Sequence, residues 1–198
     1  MRLSAPRIAP VDLATIDDEQ REALAVFSGG ARDAVRSEGT VLNIFRTLAH
    51  APRALTAFLA WGNYILSRRN SLSKRDRELV ILRAGFNCGS GYEFTQHTRI
   101  GLDAGLSEAE IAAIIAGPDD PSWNETDRAM LRAADDLTRD FHVSDASWAA
   151  LASMTDKQKM DLVMTVGQYT QVSMMLNSFG VQLDPGQDFS SLSGGLKR

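Results

Sequence analysis

Apolar residues recur along this chain at helical spacing, and no segment shows strand alternation between strand-type flanks. The densest run, Leu79 to Phe86, is hydrophobic nearly all round, which predicts a central buried helix. Ser73 and Asp76 stand ahead of it as a capping box loosened to Asp. Gly89 and Gly91 mark a break, and a second helix is expected from about Ser90 to Ala104, ending at Gly105. Upstream, residues 1–16, with Pro6 and Pro10, read as an extended arm. Asp17 or Asp18 opens a segment through Phe27 that Gly29-Gly30 closes. A short stretch from Val41 to His50 precedes Pro52, which suits the first turn of a helix running to about Arg69.

Downstream, Ser107 with Glu110 is a capping box for Ile111 to Ala116, stopped by Gly117-Pro118. After the loop 118–123, Asn124 caps a helix through Asp140, and Ser144 opens another to about Met154. Thr155 with Gln158 starts the last long helix, expected to end near Ser178. The reading is all-α, a compact bundle of about eight helices. It divides into the arm 1–16, one helical domain 17–184, and a flexible Gly/Ser-rich tail 185–198.

Composition narrows the function classes. With 198 residues the chain can bury a sizeable core, and 44% hydrophobic with 23% charged residues is ordinary for a globular protein. A formal net charge of −4 without a basic run disfavours nucleic-acid binding. No apolar run approaches the roughly 20 residues that span a bilayer, and the N-terminus lacks a signal-peptide core. The single cysteine, Cys88, rules out a disulfide framework or a CxxC pair within the chain. A cytoplasmic protein is expected.

Four polar residues interrupt the central apolar region: Glu78, Ser90, Glu93 and His97. On a continuous helix Ser90, Glu93 and His97 fall within roughly 60° of arc over about 10 Å of rise. Glu78 sits inside the all-apolar run, where a carboxylate must be paired, hydrogen-bonded or protonated. One reading is a general acid/base pocket, in which carboxylates orient a histidine that titrates near neutral pH. The other is a satisfied core histidine beside surface charges, with an arginine such as Arg77, Arg83 or Arg99 neutralising Glu78. Glu93 and His97, joined by His50 or His142, make a weaker zinc reading. No metal is therefore expected. Cys88 reads as a small buried hydrophobe. Tyr92, Trp61, Tyr64, Tyr169 and Asn177 are candidates for polar groups on an apolar pocket, and Arg83 and Arg99 for carboxylate anchors.

These residues resemble the carboxymuconolactone decarboxylase family, which includes the alkyl hydroperoxidase D-like (AhpD-like) proteins. The resemblance rests on Arg77-Glu78-Leu79, Ile81-Leu82-Arg83, the spacing Cys88-x-Ser-x-Tyr-Glu-x-x-x-His97, and Ala104-Gly105-Leu106-Ser107. It continues through Ala133 to Leu137, Gly167-Gln168-Tyr169 and Leu176 to Val181. It implies an AhpD-like helical fold and a site containing Glu78 and His97. Hydroperoxidase relatives carry a CxxC where Ser90 and Glu93 stand here, and that chemistry needs two thiols. The decarboxylase branch implies cofactor-free loss of carbon dioxide from a small carboxylated lactone of aromatic-compound degradation. Glu78 and His97 carry over as catalytic, Glu93 departs from the redox pattern and points to acid/base chemistry beside them, and Ser90, Tyr92, Tyr169 and Asn177 are expected to bind substrate. The alternatives are a peroxidase-related antioxidant protein using Cys88 across a subunit boundary, or a non-catalytic ligand-binding oligomer. Relatives assemble as trimers or hexamers, so a homo-oligomer binding a small molecule is expected, with no nucleic-acid or membrane partner.

Overall fold

A computed structural model of the chain describes residues 2–28 and 41–187. The predicted stop at Gly29-Gly30 and the tail from residue 188 lie outside them. The described residues form nine α-helices and no strand: α1 Asp18–Leu24, α2 Asn43–Leu48, α3 Pro52–Leu66, α4 Lys74–Asn87, α5 Gly91–Asp103, α6 Glu108–Ala116, α7 Glu125–Asp140, α8 Asp145–Ala150 and α9 Asp156–Phe179. A 3-10 turn, Ala25–Ser28, follows α1.

Local signals set most boundaries. The side chains of Ser107 and Thr155 each accept from the backbone N–H three residues on, and Glu110 and Gln158 return the bond. The Asn124 side chain caps α7, and Ser73 caps α4 through the Asp76 N–H. Three helices stop earlier than their patterns predict; in α1 the chain tightens after Leu24 into the 3-10 turn Ala25–Ser28. The α3 helix ends at Leu66 because Ser67 turns to an extended backbone. The α8 helix ends at Ala150, where Leu151 drives into the core at 1% exposure.

The α4 helix is the axis of the molecule. Residues Arg77 to Gly85 are all buried, and the helix packs against α5, α6, α7 and α9. Two of its arginines are committed to structure. Arg83 forks onto Asp135 through Nε and Nη2 at 2.5 and 2.8 Å, and its Nη1 donates to the Ile114 carbonyl at 2.7 Å, closing the end of α6. Arg83 therefore ties α4 to α6 and α7, which corrects its reading as a substrate anchor. Arg75 likewise bridges Asp127 and Glu110.

The start of α9 is tied down by Asp161, which is fully buried and accepts from Tyr64 Oη at 2.6 Å, Ser71 N at 2.7 Å and Lys157 Nζ at 2.6 Å. The Tyr64 hydroxyl is thus taken up in packing, and Trp61 stacks on it from outside. Neither supplies the polar pocket group expected of it.

A second core lies under the N-terminal stretch, whose residues 2–16 contain no helix. Arg7 N donates to Phe179 O at the end of α9, and Arg46 donates from Nε and Nη2 to Val11 O. Val11, Leu13 and Ile16 pack with Leu24, Val41 and Leu55.

Burial at the axis makes a direct expectation. Leu79, 0% exposed, should cost about 2–5 kcal/mol as Leu79→Ala, whereas Met174→Ala on the exposed face of α9 should change stability by no more than about 0.5 kcal/mol. Denaturant midpoints of the two variants check the ranking.

Candidate functional site

The α4 and α5 helices form an antiparallel pair across the Gly89 turn, where φ is +61°. Two glycines let them approach. A Cβ on Gly85 of α4 would lie 3.3 Å from Glu93 Cγ, and one on Gly101 of α5 would lie 3.2 Å from Leu82 Cδ1 and 3.8 Å from Glu78 Cβ. The missing side chains leave room for Glu78 from one helix and His97 from the other to meet.

They meet at 2.6 Å, His97 Nδ1 to Glu78 Oε2. The other ring nitrogen, Nε2, stands 2.9 Å from Glu93 Oε1 one turn earlier on α5. The two contacts differ in kind. Glu78 takes a directed hydrogen bond, whereas the Nε2–H direction misses Glu93, leaving Oε1 buried in charge contact but without a hydrogen-bond partner. The Tyr169 ring of α9 stands edge-on to the imidazole with centroids 4.8 Å apart, holding its plane.

Burial works against a charge on His97, but two carboxyl groups on opposite sides outweigh it. The imidazole is pushed up to about 10, with Glu93 and then Glu78 as the raising causes. The ring is an imidazolium at neutral pH. Glu78 fixes Nδ1 by a hydrogen bond, and the Nε2 proton lies beside Glu93 without being aimed at Oε1. Tyr169 is held well above its ordinary value by burial, and further by Glu93 and Glu78, so its hydroxyl stays protonated and is available as a donor.

This cluster forms part of the wall of a cavity of about 810 Å³. Glu93, His97, Tyr169, Gln168 and Gln96 face it among a mostly apolar lining from α1, α2, α3, α5 and α9. Glu78 lies behind His97 and is 2% exposed, so it touches the ring and not the space.

The remaining expected site residues separate. Ser90 is the N-cap of α5, fully buried with an unpartnered Oγ, and does not line the cavity. Asn177 donates to the Cys88 carbonyl at 2.9 Å and lines a separate small crevice with Arg2 and Leu3. Tyr92 does reach the cavity, but its hydroxyl is spent on Asp184 Oδ2 at 2.6 Å. Cys88 caps the end of α4 away from the cavity, and burial raises its thiol, which removes thiolate character. The His50 ring sits against Ala9 O and lines a different pocket, under the N-terminal stretch. No group of three or more metal-type side chains gathers among the described residues.

Three residues were missed: Asp184, Gln168 and the cavity-facing Gln96. Asp184 accepts from Tyr92, from Gln96 Nε2 at 2.7 Å and from Asn43 N at 2.6 Å, clamping the segment after α9 onto α5 and α2. Nothing local marks it. Gln168 was visible in Gly167-Gln168-Tyr169, yet only the packed α9 shows that it turns to the cavity.

Comparison with known proteins agrees with this architecture. The carboxymuconolactone decarboxylase family profile matches residues 52–136, from the start of α3 into α7. No curated protein matches the chain. Among solved structures, a protein of unknown function from Agrobacterium tumefaciens superposes with a TM-score of 0.64 at 23% identity, over 69% of this chain and 94% of that one. An uncharacterised peroxidase-related protein with an AhpD core, from Ralstonia eutropha, gives 0.66 at 21% identity, over 91% and 93%. A variant of the debrominase Bmp8 in complex with 2,3,4-tribromopyrrole gives 0.71 at 11% identity, over 98% and 96%. The all-helical AhpD-like fold is shared. No helix among the described residues is long and apolar enough to cross a membrane.

The raised His97 fixes the sign of a pH effect. A histidine held above its unfolded value near 6.5 contributes stability in full below that pH and loses it as the pH rises toward about 10. Wild-type protein should lose stability between pH 6.5 and 10 more steeply than His97→Gln, measured as the slope of unfolding free energy against pH. A ring 15N spectrum at pH 7.5 should show both nitrogens protonated.

Proposed function

We propose that this chain, a member of the carboxymuconolactone decarboxylase family through residues 52–136, is a cofactor-free enzyme moving a proton at carbon next to a carbonyl group. The observation that carries the reading is the His97 imidazolium bracketed by Glu78 and Glu93 on the wall of a large apolar cavity. Glu93, whose Oε1 has no hydrogen-bond partner, acts on the substrate proton, and His97 exchanges a proton with it. Glu78 holds the ring and compensates its charge. The Tyr169 hydroxyl is a protonated donor for the oxyanion of an enolate.

Two reactions use this set. In decarboxylation of a carboxylated lactone, the carbon–carboxylate bond breaks, its electron pair passes into the conjugated carbonyl, carbon dioxide leaves, and the enzyme's proton goes to carbon. In a lactone or enone isomerisation, Glu93 takes a proton from carbon, the pair moves to the carbonyl oxygen, and a proton returns at another carbon. Both pass through an enolate. The site speaks against a thiol peroxidase mechanism, because Cys88 lies outside the cavity with its thiol raised by burial.

Glu93→Gln and His97→Gln should each lower turnover of lactone, enone or ketone substrates by about 10²–10⁴-fold while circular dichroism is unchanged. Cys88→Ser should leave turnover and peroxide consumption as in the wild type. Full turnover in both the Glu93 and His97 variants would remove the proton-transfer assignment.

A further inference from the structure

The cavity itself says more about what it takes. Its volume, about 810 Å³, lies in the range that encloses ligands much larger than a compact lactone diacid. Its walls are aliphatic and aromatic, with Ile44, Phe58, Leu59 and Val172 among them. The apolar character continues outward: Val26 is 60% exposed, Leu66 47% and Ile100 39%, and all three line the same space. A hydrophobic surface left open to water at a cavity mouth is covered when an apolar body enters.

Charge points the same way. At the inner end stands Glu93, with Glu78 behind His97. The imidazolium already has two counter-charges. Among the described lining residues Arg99 is the other cation, and it is exposed and six residues beyond Glu93 on α5, about 9 Å along the axis. An anionic group carried to the inner end would lose water and meet a carboxylate there, with Arg99, the lining cation besides His97, about 9 Å away along the axis. A neutral carbonyl would instead meet the Tyr169 hydroxyl.

We infer that the ligand is an uncharged, mainly hydrophobic carbonyl compound, bound with its carbonyl at Glu93, His97 and Tyr169 and its apolar body running toward Val26, Leu66 and Ile100. This rests on the proton-transfer reading for the role of the inner end, and within that reading it selects isomerisation or proton exchange over decarboxylation.

The probes are straight-chain 2-alkanones from 2-pentanone to 2-undecanone and the alkanoates of equal length, titrated calorimetrically at pH 7.5. Ketone affinity should rise about fourfold per added methylene until the cavity is filled. Each alkanoate should bind at least about tenfold more weakly than its ketone. Leu66→Asp, at an exposed position that the fold tolerates, should flatten the rise for long ketones and leave short ones unchanged. A flat chain-length series, or alkanoates binding as tightly as ketones, overturns the inference. Repeating the series in His97→Gln separates the two readings. Ketone binding that survives there, with deuterium exchange at the ketone α-carbon unchanged from wild type, sinks proton transfer and leaves the ligand class standing. Lost exchange with a flat wild-type series does the reverse.

Discussion

The structure turns on one contact, the 2.6 Å hydrogen bond between Glu78 of α4 and His97 of α5. Glu78 is the acidic residue within the all-buried stretch of α4, and burying a carboxylate there without a partner would be costly. His97 is that partner, and the two helices are close enough for it because Gly85 and Gly101 remove the side chains that would hold them apart. The contact fixes the face α5 turns to the core. It also fixes the orientation of the imidazole, and hence which group, Glu93, is left beside its second nitrogen.

The rest of the fold holds this arrangement from several sides. Tyr169 sets an edge against the imidazole, and α9, which carries it, is pinned at its start by the buried Asp161 with Tyr64, Ser71 and Lys157. At the far end, the segment after α9 returns Asp184 to Tyr92 and Gln96 of α5. Arg83 locks the opposite face of α4 onto α6 and α7. A charged cluster in an apolar setting keeps its geometry only when such contacts over-determine it. What these contacts leave open is the space between α3, α5 and α9, and Glu93 and His97 look into it.

Much of this was legible in the sequence. Capping residues and helical periodicity placed the helices, because both act over three or four residues and leave their trace there. Glu78, Glu93 and His97 stood out because polar residues inside an apolar run demand a reason. The shared face of Ser90, Glu93 and His97 was only partly realised. Ser90 occupies the N-cap position of α5, just outside the helical path, so its side chain leaves the face that periodicity alone assigns to it. Tyr92 and Tyr64 illustrate the opposite problem: each hydroxyl sits on a site-bearing or neighbouring helix, but a carboxylate 92 or 97 residues away has taken it.

The sequence by itself determined the helical class, most helix boundaries, and the identity of the three titratable groups that cluster, since each follows from local backbone propensity or from the cost of an unpaired polar side chain. Only the tertiary structure decided which hydroxyls and guanidinium groups are committed to packing, that Glu78 orients the ring while Glu93 faces the cavity, and how large and apolar that cavity is. Those outcomes depend on pairs far apart in the chain, whose geometry is set by how close two helices can come.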